Sequence, residues 1–136
     1  MITQARLRLA EFAGRVNFVS ADLRDPAWVR RVGGPFDAVV SSIAIHNVRD
    51  PSLIRRIYFD VAGLVKCGGC FFNLDFVAPD DAPAREPSTT DPAHAGEPGL
   101  ATLDRQIAWL SAAGFARVEC PLRYGHQVLL AAYGAP

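Results

Sequence analysis

The chain has 136 residues, half of them hydrophobic and 21% charged, and its 14 basic and 14 acidic side chains cancel. That composition is one globular domain, with neither the basic excess that draws a protein to nucleic acid nor the ~18-residue apolar run of a membrane span. The first fourteen residues carry interspersed charges where a signal peptide needs an apolar core, so a cytoplasmic location is expected.

Residues 3 to about 13 read as a helix, with Ala5, Leu7, Leu9 and Phe12 apolar and Gly14 as its stop. "RVNFVSADL" then alternates in the manner of a strand ending at Asp22. "DPAWVRRVGG" has Asp25 as cap, Pro26 at the first position and Gly33-Gly34 as terminator, the signature of a short helical turn. "FDAVVSS" is β-branched and nearly unbroken, as expected of a strand covered on both faces. Asp50 and Pro51 open a helix whose stripe is Leu53, Ile54, Ile57, Tyr58, Val61, Leu64 and Val65, with Gly68-Gly69 as its end. "CFFNLDF" follows as a third buried strand. Residues 77–100 hold five prolines among polar residues, an irregular connection of the kind that forms lids and substrate loops. Thr102 then caps a helix with Leu103, Ile107 and Leu110 inward and Gly114 as stop. "ARVECPLRYGHQVLLAAYG" reads as an antiparallel hairpin around Tyr124-Gly125. The order predicts an α/β domain over 1–136, its sheet mostly parallel with a C-terminal antiparallel hairpin.

Cys67-Gly68-Gly69-Cys70 invites a redox or zinc reading. A redox Cys-x-x-Cys places its first thiolate at a helix N-terminus, whereas Cys67 follows a helix, where the dipole disfavours a thiolate. The other metal-ligating candidates, Cys120, His46, His94 and His126, are not paired at ligand spacing. The glycines carry the motif instead: they turn the chain where φ is positive and backbone packs closely.

In open α/β sheets ligands bind beyond the carboxyl ends of the parallel strands. Three ends are legible here: Asp22, then Ser41-Ser42 running into "IAIHNV", then Asp75-Phe76. Asp22 is able to accept a hydrogen bond from an amine or hydroxyl, Ile43 to Ile45 to floor a pocket, and His46 to reach a reacting group. Each polar residue also has a plainer role open to it. Asp22 suits a turn cap, His46 a structural hydrogen bond, and Asp75 an anchor for the loop that follows.

These stretches, "VNFVSADL", "FDAVVSSIAIHNVRDP", "LVKCGGCFFNLDF" and "WLSAAGFARVE", resemble in order and spacing the C-terminal two thirds of class I S-adenosylmethionine-dependent methyltransferases. The family usually has proline where this chain has Cys67. The resemblance implies that Asp22 binds the adenine amino group with Leu23 on the ring, and that Ser41, Ser42 and Ile43 line the methionine part of S-adenosylmethionine. It further implies that His46 and Asn47 face the methyl group and the acceptor, with Asp75 and Phe76 also on the substrate side. If the acceptor is a hydroxyl or amine, His46 is the candidate catalytic base, and with no basic face to draw nucleic acid a small-molecule acceptor is expected.

The same resemblance exposes a gap. The family's first strand with its glycine-rich turn, and the second strand with its ribose-binding acid, have no counterpart here, leaving an incomplete Rossmann-like sheet. "FDAVVSS" is then an unpaired edge and "VNFVS" is separated from the rest, so poor solubility and weak or absent cofactor binding are expected. The readings left are a truncated methyltransferase, a non-catalytic methyltransferase-like subunit or relic that needs a partner chain, and an unrelated α/β module, including a thiol-based one.

Overall fold

A computed structural model describes residues 2–80 and 99–136; most of the Pro-rich 77–100 connection therefore lies outside the described residues. The chain divides into two compact units, one ending at Val32 and the other comprising Gly33–Pro136. Among the described residues no helix is long and apolar enough to cross a membrane.

In the first unit, helix α1 (Ile2–Arg8) gives way to a 3-10 turn at Ala10–Phe12 rather than running on to residue 13. None of its residues is buried, and a seven-residue helix without a packed face has little to set against the cost of nucleation. Arg6 lies over the Phe18 ring and Arg15 over the Phe12 ring. The strand expected at "RVNFVSADL" does not form: residues 16–22 join no ladder among the described residues. Alternation selects a strand only where a neighbour offers its N–H and C=O groups. A turn at Asp22–Asp25 leads into α2 (Trp28–Val32), with Asp25 accepting from the Ala27 amide at 2.9 Å.

The second unit holds a four-stranded sheet. Its strands are β1 (Phe36–Ser42), β2 (Val65–Phe76), β3 (Arg117–Tyr124) and β4 (Gln127–Tyr133), in the spatial order β1-β2-β4-β3. Only β1 and β2 run parallel; β4 is antiparallel to both β2 and β3. The mostly parallel sheet that the sequence suggests is thus corrected to a mostly antiparallel one. The segment at 16–22 contributes no strand, and the last strand inserts between β2 and β3 instead of adding at the edge.

Helix α3 (Pro51–Leu64) connects β1 to β2 and is capped by Asp50, whose carboxylate accepts from the Ser52 and Leu53 amides. Helix α4 (Leu103–Ala112) is capped by Thr102. Ile54, Ile57, Tyr58, Val61 and Leu64 of α3 are buried, as are Leu103, Gln106 and Leu110 of α4. They pack on the sheet face formed by Phe71, Asn73 and Asp75 of β2 and Val128, Leu130 and Ala132 of β4, with Phe71 between Tyr58 and Phe115. Each large apolar side chain removed from water there contributes about 1.5–3 kcal/mol. The alternate residues on the other face, Cys70, Phe72, Leu74 and Leu129, are only half-buried. Val40 is 73% exposed and Phe36 is exposed too, so β1 is not covered on both faces, and among the described residues it pairs with β2 alone.

Helix α3 ends at Leu64, and Gly68-Gly69 lies inside β2 rather than terminating the helix. The ladder jumps there from Phe36↔Val65 to Ala38↔Cys70, a bulge that accommodates the extra residues. Gly68 has φ 69°, and a Cβ on Gly69 would stand 2.8 Å from the Asp37 carbonyl oxygen. Positive φ and close backbone approach therefore both hold at this pair. Cys67 is exposed and Cys70 half-buried rather than buried; both thiols are free.

Candidate functional site

Strand β1 ends at Ser42, and the chain turns at once. Ile43 adopts φ 49°, a left-handed conformation that a β-branched residue rarely enters, while its N–H still donates to the Leu74 carbonyl at 2.8 Å. Such strain persists where surrounding structure holds it, and it concentrates at functional positions. A 3-10 turn, Ile45–Val48, follows. Its three-residue repeat buries Ile45 and Val48 together and leaves His46 and Asn47 between them. Asn47 is exposed, and its amide donates to the Ile43 carbonyl.

His46 meets the end of the neighbouring strand. Its Nδ1 stands 2.5 Å from Asp75 Oδ1, and its backbone N–H donates to Asp75 Oδ2 at 3.0 Å. The Phe76 amide donates to Oδ1 as well, and the Phe76 ring meets the imidazole edge-on at 5.2 Å. The Asp75 side chain is 3% exposed and that of His46 19%, so the carboxylate lies beneath while part of the ring reaches the surface. A carboxylate has no hydrogen to give, so Nδ1 carries the proton and donates it. In the neutral ring the lone pair then lies on Nε2, on the side of the imidazole away from Asp75.

The structure brings Ser41, Ser42, Ile43, His46, Asn47, Asp75 and Phe76 to one end of the β1–β2 pair, where Ser41 faces Asn73 and Ser42 faces Leu74 in the ladder. Asp22 and Leu23 belong to the first unit. The Asp22 side chain is 61% exposed and accepts from the Arg24 amide at 2.9 Å, the local cap that its position also suggested.

One set of polar residues was not legible as such. Tyr58 donates its hydroxyl hydrogen to Gln106 Oε1 and accepts from Asn73 Nδ2 at 3.2 Å, and Gln106 Nε2 donates to the Ala101 carbonyl at 3.1 Å. Burial, in the first place, pushes the Tyr58 pKa well above its ordinary value, and the nearby Asp75 charge adds to the effect. The available signal was Gln106 itself, a polar residue at a stripe position between Leu103 and Leu110.

No family profile matches the chain, and no curated protein matches it in sequence. Solved structures do match. An O-methyltransferase family protein from Burkholderia thailandensis superposes with a TM-score of 0.71 at 23% identity, over 98% of this chain and 40% of its own. The S-adenosylmethionine-dependent methyltransferase SibL, in its apo form, gives 0.67 at 18% identity over 99% and 41%. The CurJ carbon methyltransferase gives 0.67 at 15% identity over 98% and 39%.

The fold is similar to part of the fold of solved methyltransferases.

The chain spans about 40% of the length of these methyltransferases, and nearly all of it lies within the shared fold. The resemblance read from its four sequence stretches is therefore matched in three dimensions. At these identities the agreement concerns the fold. The dyad at the tip of β1 and β2 is this chain's own geometry.

Proposed function

We propose that the chain is the acceptor-side portion of an S-adenosylmethionine-dependent methyltransferase acting on a small-molecule hydroxyl or amine. The observation that carries this reading is the His46–Asp75 pair at the carboxyl ends of two parallel strands, where α/β sheets bind their ligands. Residues beside it suit one end of the cofactor: the exposed Ser42 supplies a hydroxyl, and the partly exposed Ile43 supplies apolar surface on a strained, sharply turned backbone. On this reading Ser41, Ser42 and Ile43 line the methionine part. When bound, the cofactor supplies a methyl group on a sulfonium. Asp75 holds the Nδ1 proton and aims the ring; His46 Nε2 takes the proton from the acceptor; Asn47 and Phe76 border the acceptor and exclude water.

Titration of the 136-residue chain with S-adenosylhomocysteine, followed by amide NMR shifts, tests the site. Shifts at Ser42, Ile43 and His46 with a weak, submillimolar to millimolar Kd are expected. Their absence at the highest soluble ligand concentration overturns the reading. A second reading, a non-catalytic subunit that completes its sheet on a partner chain, draws on the place of β1 at the end of the strand order, paired among the described residues with β2 alone. A turnover-competent assembly unaffected by His46→Ala would select it.

A further inference from the structure

We propose that Ser41, Asn73, Tyr58 and Gln106 form one directed chain of hydrogen bonds, which makes Asn73 and Tyr58 positioning residues for the His46–Asp75 pair. Its catalytic meaning rests on the reading of His46 as a base; its physical content does not.

The direction of the chain is set at one end. Gln106 Nε2 donates to the Ala101 backbone carbonyl, an acceptor that has no alternative role. Gln106 therefore turns Oε1 towards Tyr58, whose hydroxyl must donate to it. The phenol oxygen is left to accept, which it does from Asn73 Nδ2. Asn73 is consequently committed to presenting Oδ1 on its other side. That oxygen is fully buried and has no hydrogen-bond partner among the described residues, and the same holds for the buried Ser41 Oγ. Ser41 and Asn73 are Cα partners in the β1–β2 ladder, so their side chains share a face. A buried acceptor beside a rotatable buried hydroxyl is a hydrogen bond in waiting, because each group left unmade keeps its full desolvation penalty. The two are not joined directly in this rotamer, so the Ser41 hydroxyl reaches Asn73 Oδ1 through one ordered water or after a change of its side-chain rotamer.

All donors then point the same way: Ser41 to Asn73, Asn73 to Tyr58, Tyr58 to Gln106, Gln106 to Ala101. Bonds aligned in series polarise one another. The chain begins one residue before the tip of β1. It ends at Ala101, whose carbonyl also accepts from the Ala78 amide where Ala78 bridges Thr102. Residues 78 and 101–102, at the two ends of the Pro-rich connection, are thus tied to the tip of β1 through the middle of β2. Asp75 lies two residues beyond Asn73 on the same face, so holding the Asn73 amide sets the twist of the strand that aims the carboxylate at His46.

A double-mutant cycle on the 136-residue chain tests the missing link. Ser41→Ala and Tyr58→Phe are each expected to raise the unfolding equilibrium constant by about fivefold, the effect of one lost hydrogen bond. In combination they should fall short of the product of the two by threefold or more, because the second deletion acts on a chain already broken. A product within about twofold means independent sites and overturns the proposal. Hydrogen exchange separates positioning from general stability. The His46 and Phe76 amides, both held by Asp75, should exchange at least threefold faster in Tyr58→Phe relative to the Leu122 and Leu129 amides of the hairpin. Equal acceleration at all four refutes the positioning role. Should Tyr58→Phe fail to fold, Ser41→Ala read in the same way decides. S-adenosylhomocysteine shifts at residues 42–46 report on the methyltransferase reading separately, so the two can fail independently.

Discussion

Replacing Asp75 with Asn changes no volume and removes one acceptor. The carboxylate takes three hydrogen bonds, from His46 Nδ1 at 2.5 Å and from the His46 and Phe76 amides at 3.0 Å each. Asn has a single acceptor oxygen. Set where Oδ1 stands, that oxygen keeps the imidazole and Phe76 bonds, now without the charge that strengthens them. The NH₂ then faces the His46 N–H, donor against donor, in a site that is almost fully buried. One buried N–H without a partner costs about 1–3 kcal/mol, and weakening two charge-assisted bonds adds about 1 kcal/mol. Asp75→Asn should therefore destabilise the chain by roughly 2–4 kcal/mol, a large share of the ~5–15 kcal/mol typical of a domain. Urea unfolding at neutral pH, followed by circular dichroism, measures this. A loss below about 0.5 kcal/mol would show that the carboxylate is not holding the 3-10 turn to β2, and the argument for an oriented imidazole would fall with it.

Three other outcomes follow from the structure. Gly69→Ala should destabilise by about 1–3 kcal/mol, because the new methyl meets the Asp37 and Lys66 carbonyl oxygens below 3 Å, whereas Gly14→Ala, in open space, should not; thermal unfolding compares them. Tyr58 keeps its proton in the folded state at pH values where the unfolded chain has begun to lose it. Its contribution to stability is thus complete below about pH 10 and declines above it, and Tyr58→Phe should flatten that alkaline decline in urea titrations. Val40→Lys, at an exposed position of β1, should change stability by less than about 0.5 kcal/mol while raising the solubility limit, read from sedimentation at increasing concentration.

The legible parts of the fold are those set by local chemistry. Asp50-Pro51 opened α3 and Thr102 opened α4 because a cap is a bond between near neighbours, and the hairpin turned at Gly125 because its φ of 59° suits glycine. The illegible parts depend on partners distant in the chain. Residues 16–22 carry a strand pattern without a ladder, and the orientation of β4 between β2 and β3 is a matter of sheet order on which periodicity is silent. The site divides in the same way. His46 and Asp75 were each visible as polar residues after strands, but their contact spans 29 positions and emerges only when β1 and β2 lie side by side. Asn73 and Gln106 were hidden among apolar neighbours, and only their burial shows that they form a network.

The two sides of β2 will answer differently to mutation. Swapping Phe71 for a polar residue should be ruinous in any context, since that side chain is wedged between two aromatic rings. Swapping Phe72 or Leu74, which are only half out of water, should be mild in the 136-residue chain and severe wherever more polypeptide lies against them. A saturation scan run in the purified chain and again in living cells would turn that contrast into a gauge: positions that change from permissive to intolerant outline the surface that the cell keeps covered.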